Sequence, residues 1–369
     1  MKDNLRQAVG SLLVVGLAGP ELTGLERAWL KLVRPSGIIL FRRNIVDAAQ
    51  TRALLHEATS LGAPHCFRFV DMEGGTVDRL RNALTAMPST QAVYLAAQNA
   101  RKLLLMREHG DLVARAVRAF GFNTTLAPVL DLALPTSALV MGTRSAAPTA
   151  EGVIAYARAF LAGLAAHGVV GCGKHFPGLG GGMIDSHLAT PSIERTLRAM
   201  QQEDLVPYRS LRKELPMVMV NHASYPLTPG KLRPATASPY WVTTVLRKQM
   251  GYRGIAFSDD LEMGGILKFL PIEEAAITAI RAGMDMLEIC HSPELILRAY
   301  ESLLAEAERS SAFRTLLLAR ASKLASQRKK LLADGVASAL SVKQFEALRT
   351  RIQRFSQTIE RSQPRQETA

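Results

Sequence analysis

Apolar residues in this chain fall into two alternating kinds of segment. In the short runs nearly every position is apolar, and in the longer stretches apolar positions recur every three or four residues. The short runs are Leu12–Ala18, Gly37–Phe41, Cys66–Asp71, Asn123–Asp131, Val169–Phe176, Met217–Ser224, Gly254–Asp260 and Met284–Cys290. Strands without polar alternation belong to a sheet covered on both faces, as parallel sheets are. Helical spacing predicts helices over Ala49–Leu61, Leu103–Phe120, Ala150–His167, Thr196–Leu211, Val242–Met250 and Glu273–Ala282. Eight strand–helix alternations predict a (β/α)8 TIM barrel, an α/β fold that takes roughly 250 residues. Leu12–Leu304 holds it comfortably. An open doubly wound sheet is the alternative, but LAGPELTG after the first strand lacks the spacing of a dinucleotide loop.

Beyond the barrel, Phe313–Thr358 predicts two basic amphipathic helices broken near Asp334-Gly335. The expected division is residues 1–310 for the catalytic barrel and 311–369 for a basic helical C-terminal extension. From Ser311 onward there are 12 Lys/Arg against 4 Asp/Glu, so +8 of the net +13 lies in the last 59 residues. Such a segment is a solvated helical face with room for loose anionic partners. Its only aromatics are Phe313, Phe345 and Phe355. They form no stacking platform of the kind single-strand binders use, so no nucleic-acid partner is expected.

Overall composition, 48% hydrophobic and 21% charged over 369 residues, is that of a globular protein. No apolar run reaches the roughly 20 residues of a membrane span. Ala8–Gly19, following Lys2 and Arg6, has the look of a short signal peptide, yet Asp3 interrupts its basic flank and LLVVG suits a buried first strand better. Cys66, Cys172 and Cys290 are an odd number at wide spacing within apolar runs, which points to free thiols in a reducing compartment. The expected location is therefore cytoplasmic.

Polar residues crowd one end of the predicted strands. Asp71 and Glu73 follow the third, Asp131 and Arg144 the fourth, and Lys174 and His175 end the fifth; Asn221 and His222 end the sixth, Asp259 and Asp260 the seventh, and His291 follows the eighth. Barrel enzymes place their reactive groups at that end. Neighbouring Asp259 and Asp260 point to opposite faces of a strand, so one is expected in the barrel mouth and the other in a bracing role. Asp185 and His187 are two apart, which lets the carboxylate orient the imidazole as a general acid/base. Gly178, Gly180, Gly181 and Gly182 either serve tight backbone turns or let that pair swing. No HExxH, paired-cysteine or Asp-rich loop supports a metal reading of His175, Asp185 and His187, and no cofactor or metal is expected.

With these clusters in hand, the chain resembles glycoside hydrolase family 3, in its single-domain, NagZ-like β-N-acetylglucosaminidase (β-N-acetylhexosaminidase) branch. GIILFRRNI, VDMEGGTVDRL, APVLDL with the later GTRS, KHFPG, DSH and FSDDLEM carry the resemblance, over about Val9–Pro293. The chain departs from the branch's usual pattern at Leu179, Gly181 and Gly182, where GHGDT becomes GLGGG, and at Met72 and Thr76. The resemblance implies a TIM barrel and a retaining enzyme that removes terminal GlcNAc from peptidoglycan fragments. It implies Asp259 as nucleophile, His187 as acid/base and Asp185 as its orienting partner. Asp71, Arg79, Arg144, Lys174 and His175 would bind the sugar. The implied partner is a small GlcNAc-containing carbohydrate. A phosphorylase using the same site, or a sugar-binding barrel with weak catalysis, are the alternatives.

Overall fold

The computed structural model describes residues 2–181, 191–333, 335 and 337–362. Asp185 and His187 lie outside the described residues, as does Gly182.

Eight parallel strands close into a barrel in chain order: β1 (Leu13–Gly16), β2 (Gly37–Leu40), β3 (Phe67–Val70), β4 (Thr124–Thr125), β5 (Val170–Phe176), β6 (Met217–Val220), β7 (Ile255–Asp260) and β8 (Met286–Ile289), with β8 returning to β1. Each coincides with one of the eight apolar runs. Their side chains are buried almost throughout, and Phe69 of β3 meets Phe257 of β7 inside the barrel with ring centroids 5.3 Å apart. Near-continuous apolar strands bury both faces, one on the barrel interior and one under the surrounding helices.

Three departures from the expected elements have local causes. The run Asn123–Asp131 gives only a two-residue β4, because Pro128 has no N–H for the ladder; pairing resumes at the single bridge between Val129 and Lys174. The stretch Thr196–Leu211 splits into helices Leu197–Gln202 and Leu205–Leu211. The ring of Pro207 would clash with the carbonyl of Glu203, four residues earlier, and the break falls there. The run Ala8–Gly19 is divided between the end of a helix, Lys2–Gly10, and strand β1. Leu5, Ala8, Val9 and Leu12 recur at helical spacing, and all four are buried.

The two C-terminal helices are Ser311–Leu331 and Val342–Arg361. Leu317 and Leu324 of the first, and Ile352, Phe355 and Ile359 of the second, belong to the same hydrophobic cluster as the barrel core. The second lies along helices Thr90–Asn99 and Leu104–Ala119, where Phe355 stacks on buried His109 with centroids 6.0 Å apart.

Candidate active site

Two backbone devices place the polar residues at the barrel mouth. After β3, Met72–Gly74 and Val77–Asp78 form a small antiparallel hairpin that turns through Gly74 (φ 92°) and Gly75 (φ 60°). A Cβ at Gly74 would lie 2.1 Å from the Pro88 carbonyl oxygen, so only glycine fits. That turn brings Arg79 back to Asp71, whose carbonyl accepts the Arg79 N–H at 3.2 Å, while Asp71 and Glu73, two residues apart before the turn, both meet Lys174. Between β7 and β8 the register shifts by one residue between Met286 and Glu288, opposite Phe257 and Asp260. The bulge breaks the strict alternation of faces. As a result Asp259 and Asp260 both line the mouth, contrary to the expectation that only one would.

A cavity of about 210 Å³ occupies this mouth. Six of the sequence-predicted residues line it together: Asp71, Arg79, Arg144, Lys174, His175 and Asp259. The Lys174 ammonium, almost wholly buried, donates to Asp71 Oδ1 at 2.8 Å and lies 2.6 Å from Glu73 Oε1. Arg144 grips Glu73 with two parallel bonds, Nε to Oε2 at 2.9 Å and Nη2 to Oε1 at 2.8 Å. Arg79 Nη2 reaches Asp71 Oδ2 at 3.4 Å. Burial pushes the Glu73 carboxyl up, but Arg144 and Lys174 outweigh it and bring it down to about 2. Asp71 is likewise pushed up by burial and pulled below its ordinary value by Lys174 and Arg79. Burial opposes the charged form of Lys174, yet Asp71 and Glu73 raise its pKa. The network therefore stays ionised, held by charge-assisted bonds.

His175 is fixed on both sides. Its Nδ1 donates to Asp131 Oδ2 at 2.7 Å, and its Nε2 accepts from Arg144 Nη2 at 3.3 Å. That pattern sets the tautomer and leaves neither nitrogen for a metal. Asp131 also accepts the N–H groups of His175 and Leu179, and Asn221 Nδ2 donates to the His175 carbonyl.

The opposite wall is acidic. Asp260 Oδ1 accepts from the N–H groups of Glu262 at 3.0 Å and Cys290 at 3.3 Å, so Asp260 does brace the loop while facing the cavity. Burial, then Glu262 and Asp259, push it up to about 7. Burial, with Asp260 and Asp259, pushes Glu288 well above its ordinary value. Protonation of these neighbours relieves a like-charge wall. Asp260, Glu262 and His291 bring one potential ligand atom each within 4.8 Å of one another. Both Glu262 oxygens and one Asp260 oxygen already accept backbone N–H bonds, so the group reads as loop bracing.

Gly178 has φ 135°, and a Cβ on Gly181 would press on Arg195 at 2.8 Å; both glycines have local packing reasons. Glu288 escaped the sequence-based selection of site residues, although a glutamate inside the apolar run MDMLEIC is a visible signal. Glu73 and Asp131 stood out only as polar strand-end residues. Their partners depend on the hairpin and on strand register, which no spacing in the sequence encodes.

Residues 4–319 match the N-terminal domain of glycosyl hydrolase family 3. The β-hexosaminidase of Methylococcus capsulatus is 39% identical over 288 residues, covering 78% of this chain and 85% of that one. A glycoside hydrolase family 3 β-N-acetylglucosaminidase from Paenibacillus superposes with a TM-score of 0.83 at 30% identity, over 95% of this chain and 68% of that one. NagZ from Neisseria gonorrhoeae, in complex with N-trifluoroacetyl-D-glucosamine, superposes with a TM-score of 0.76 at 28% identity, over 94% and 98%. The barrel, its polar mouth and this sequence match agree: the chain belongs to glycoside hydrolase family 3 and is a glycoside hydrolase.

Proposed function

We propose that this protein is a retaining exo-β-N-acetylglucosaminidase that releases non-reducing terminal GlcNAc from peptidoglycan-derived fragments in the cytoplasm. The observation that carries the reading is Asp259, at the end of β7, on the wall of a single-sugar-sized cavity whose other side is the Asp71–Lys174–Glu73–Arg144–His175 network. The names of the relatives supply the sugar. Three buried, unpaired cysteines support the reducing compartment.

In this mechanism the Asp259 carboxylate attacks the anomeric carbon, forming an ester bond as the glycosidic C–O bond breaks. His187, oriented by Asp185, gives its proton to the departing oxygen. Water then attacks the anomeric carbon, passes a proton to His187 and frees Asp259, so two inversions give net retention. The roles of His187 and Asp185 rest on the DSH motif. Lys174, Arg79 and Arg144 present cationic donors, and Asp71 a carboxylate acceptor, to the hydroxyls and acetamido carbonyl of one pyranose ring. Fixed charges of this kind stabilise a developing oxocarbenium ion without reorganisation during the step.

The test is a panel of aryl β-glycosides of GlcNAc, GalNAc, glucose and xylose, with product configuration followed by proton NMR. The reading expects GlcNAc to be released fastest, first as the β-anomer. Release of the α-anomer first, or faster cleavage of the glucoside, would contradict it. GlcNAc-1-phosphate appearing in phosphate buffer would make the enzyme a phosphorylase instead.

A further inference from the structure

The end of the barrel opposite the mouth carries a concentration of positive charge that hydrolysis does not use. Two neighbouring cavities, of about 470 and 480 Å³, share Arg34, Ala63 and Pro64 as walls. The first is further lined by His56, His65 and Arg68, and the second by Arg328 from the helix Ser311–Leu331. No Asp or Glu lines either cavity among the described residues. None of these three arginines and two histidines forms a salt bridge among the described residues, whereas arginines elsewhere in the chain pair widely.

Arg328 is the telling residue. It is 4% exposed, yet its Nε and Nη1 find no hydrogen-bond partner among the described residues. Arg68 donates to the Gly121 carbonyl and to Thr59 Oγ1, which are neutral acceptors. Arg68 and Arg328 both lie near enough to the buried Cys66 thiol to act on it electrostatically, Cys66 and Arg68 line the first cavity, and Arg34 lines both. A buried guanidinium without a counter-charge is strongly destabilising, and an oxyanion held by several guanidinium forks removes that penalty.

We infer that the floor of the barrel holds a second, non-catalytic site for a phosphate-class oxyanion, gripped by Arg34, Arg68 and Arg328 with His56 and His65 at its rim. It joins the C-terminal helix to the barrel through the bound anion, and it gives the positive charge of that segment a specific ligand. The anion is either free phosphate or the phosphate group of a small ester.

The test is calorimetric titration of the full chain with inorganic phosphate and, separately, with glycerol phosphate, at fixed ionic strength. One saturable site per chain is expected. Tighter binding of glycerol phosphate would identify an ester as the ligand, and equal binding would identify the free ion. Arg34→Gln, on the exposed rim, is expected to weaken binding at least tenfold without lowering the melting temperature. Arg328→Met is expected to melt higher than the parent in phosphate-free buffer and to lose the phosphate-induced rise in melting temperature. Absence of saturable binding would overturn the inference. So would binding that survives both substitutions, or that GlcNAc displaces, since the anion would then sit in the catalytic mouth.

Discussion

Buried ion clusters brace both ends of this barrel, and they are built differently. At the mouth, Lys174 bridges Asp71 and Glu73, Arg79 also reaches Asp71 and Arg144 also grips Glu73, so each carboxylate meets two cations and several polar atoms still face the cavity. At the floor, one fully buried carboxylate, Asp285, takes Arg247, Arg320 at 3.1 Å and Lys323 at 3.3 Å, and accepts the Ala256 N–H at 2.9 Å. Arg320 and Lys323 come from the helix Ser311–Leu331, so this cluster ties that helix to the barrel. Both clusters hold carboxylates below their ordinary values against the pull of burial. The mouth cluster lines an open cavity, whereas the Asp285 cluster is closed around its carboxylate and joins two elements.

Substitutions at the two ends should therefore separate activity from stability. The largest effect is expected for Lys174→Met. It leaves Asp71 and Glu73 without their shared cation and removes a donor from the mouth cavity. A loss of about 10²–10³-fold in kcat/KM on the aryl GlcNAc glycoside is expected, as for deletion of one preorganised electrostatic group. A loss below tenfold would remove this network from the account of catalysis.

Next in size is Asp285→Ala, which strands Arg247 beside two further cations. It should cost about 3–5 kcal/mol of unfolding free energy, as breaking a buried ion pair does, while kcat of the folded enzyme stays unchanged. Denaturant unfolding and steady-state kinetics on the same sample decide between the two ends. A fall in kcat with unaltered stability would reverse the assignment.

The smallest effect distinguishes carboxylates within the mouth itself. Glu73, depressed to about 2, contributes stability that is present above its ordinary value and is lost as pH falls towards 2. Asp260, raised to about 7 from 3.8, does the opposite. Its folded-state charge costs stability progressively as pH rises from about 4 to 7. Asp260→Asn should therefore raise the melting temperature at pH 8 and leave it nearly unchanged near pH 4. An equal change in melting temperature at both pH values would show that Asp260 is not held up by its surroundings.

Much of the mouth was legible in the sequence because barrel strands place function at a fixed end. Once eight apolar runs are counted, Lys174-His175 and Asp259-Asp260 fall at strand ends without further information. The partner of each group was not legible. That Arg79 comes back to Asp71 depends on a two-glycine hairpin, and that Asp260 shares the mouth with Asp259 depends on a one-residue register shift. Asp131 reaches His175 through the bridge that replaces the rest of β4. Arg328 reads as one more charge on a basic helix, and only packing against the barrel floor makes it a buried cation. Pairing, register and burial are tertiary facts that periodicity does not carry.

The central claim, that Asp259 is the nucleophile of a retaining hydrolase, is tested most directly by trapping the intermediate. The enzyme would be incubated with a 5-fluoro-N-acetylglucosaminyl fluoride, digested, and mapped by tandem mass spectrometry. The account predicts one fluorosugar per chain, on the peptide carrying FSDDLEM and at Asp259. A label on Asp260 or any other residue, or rapid turnover of the reagent with no covalent adduct formed, would contradict it.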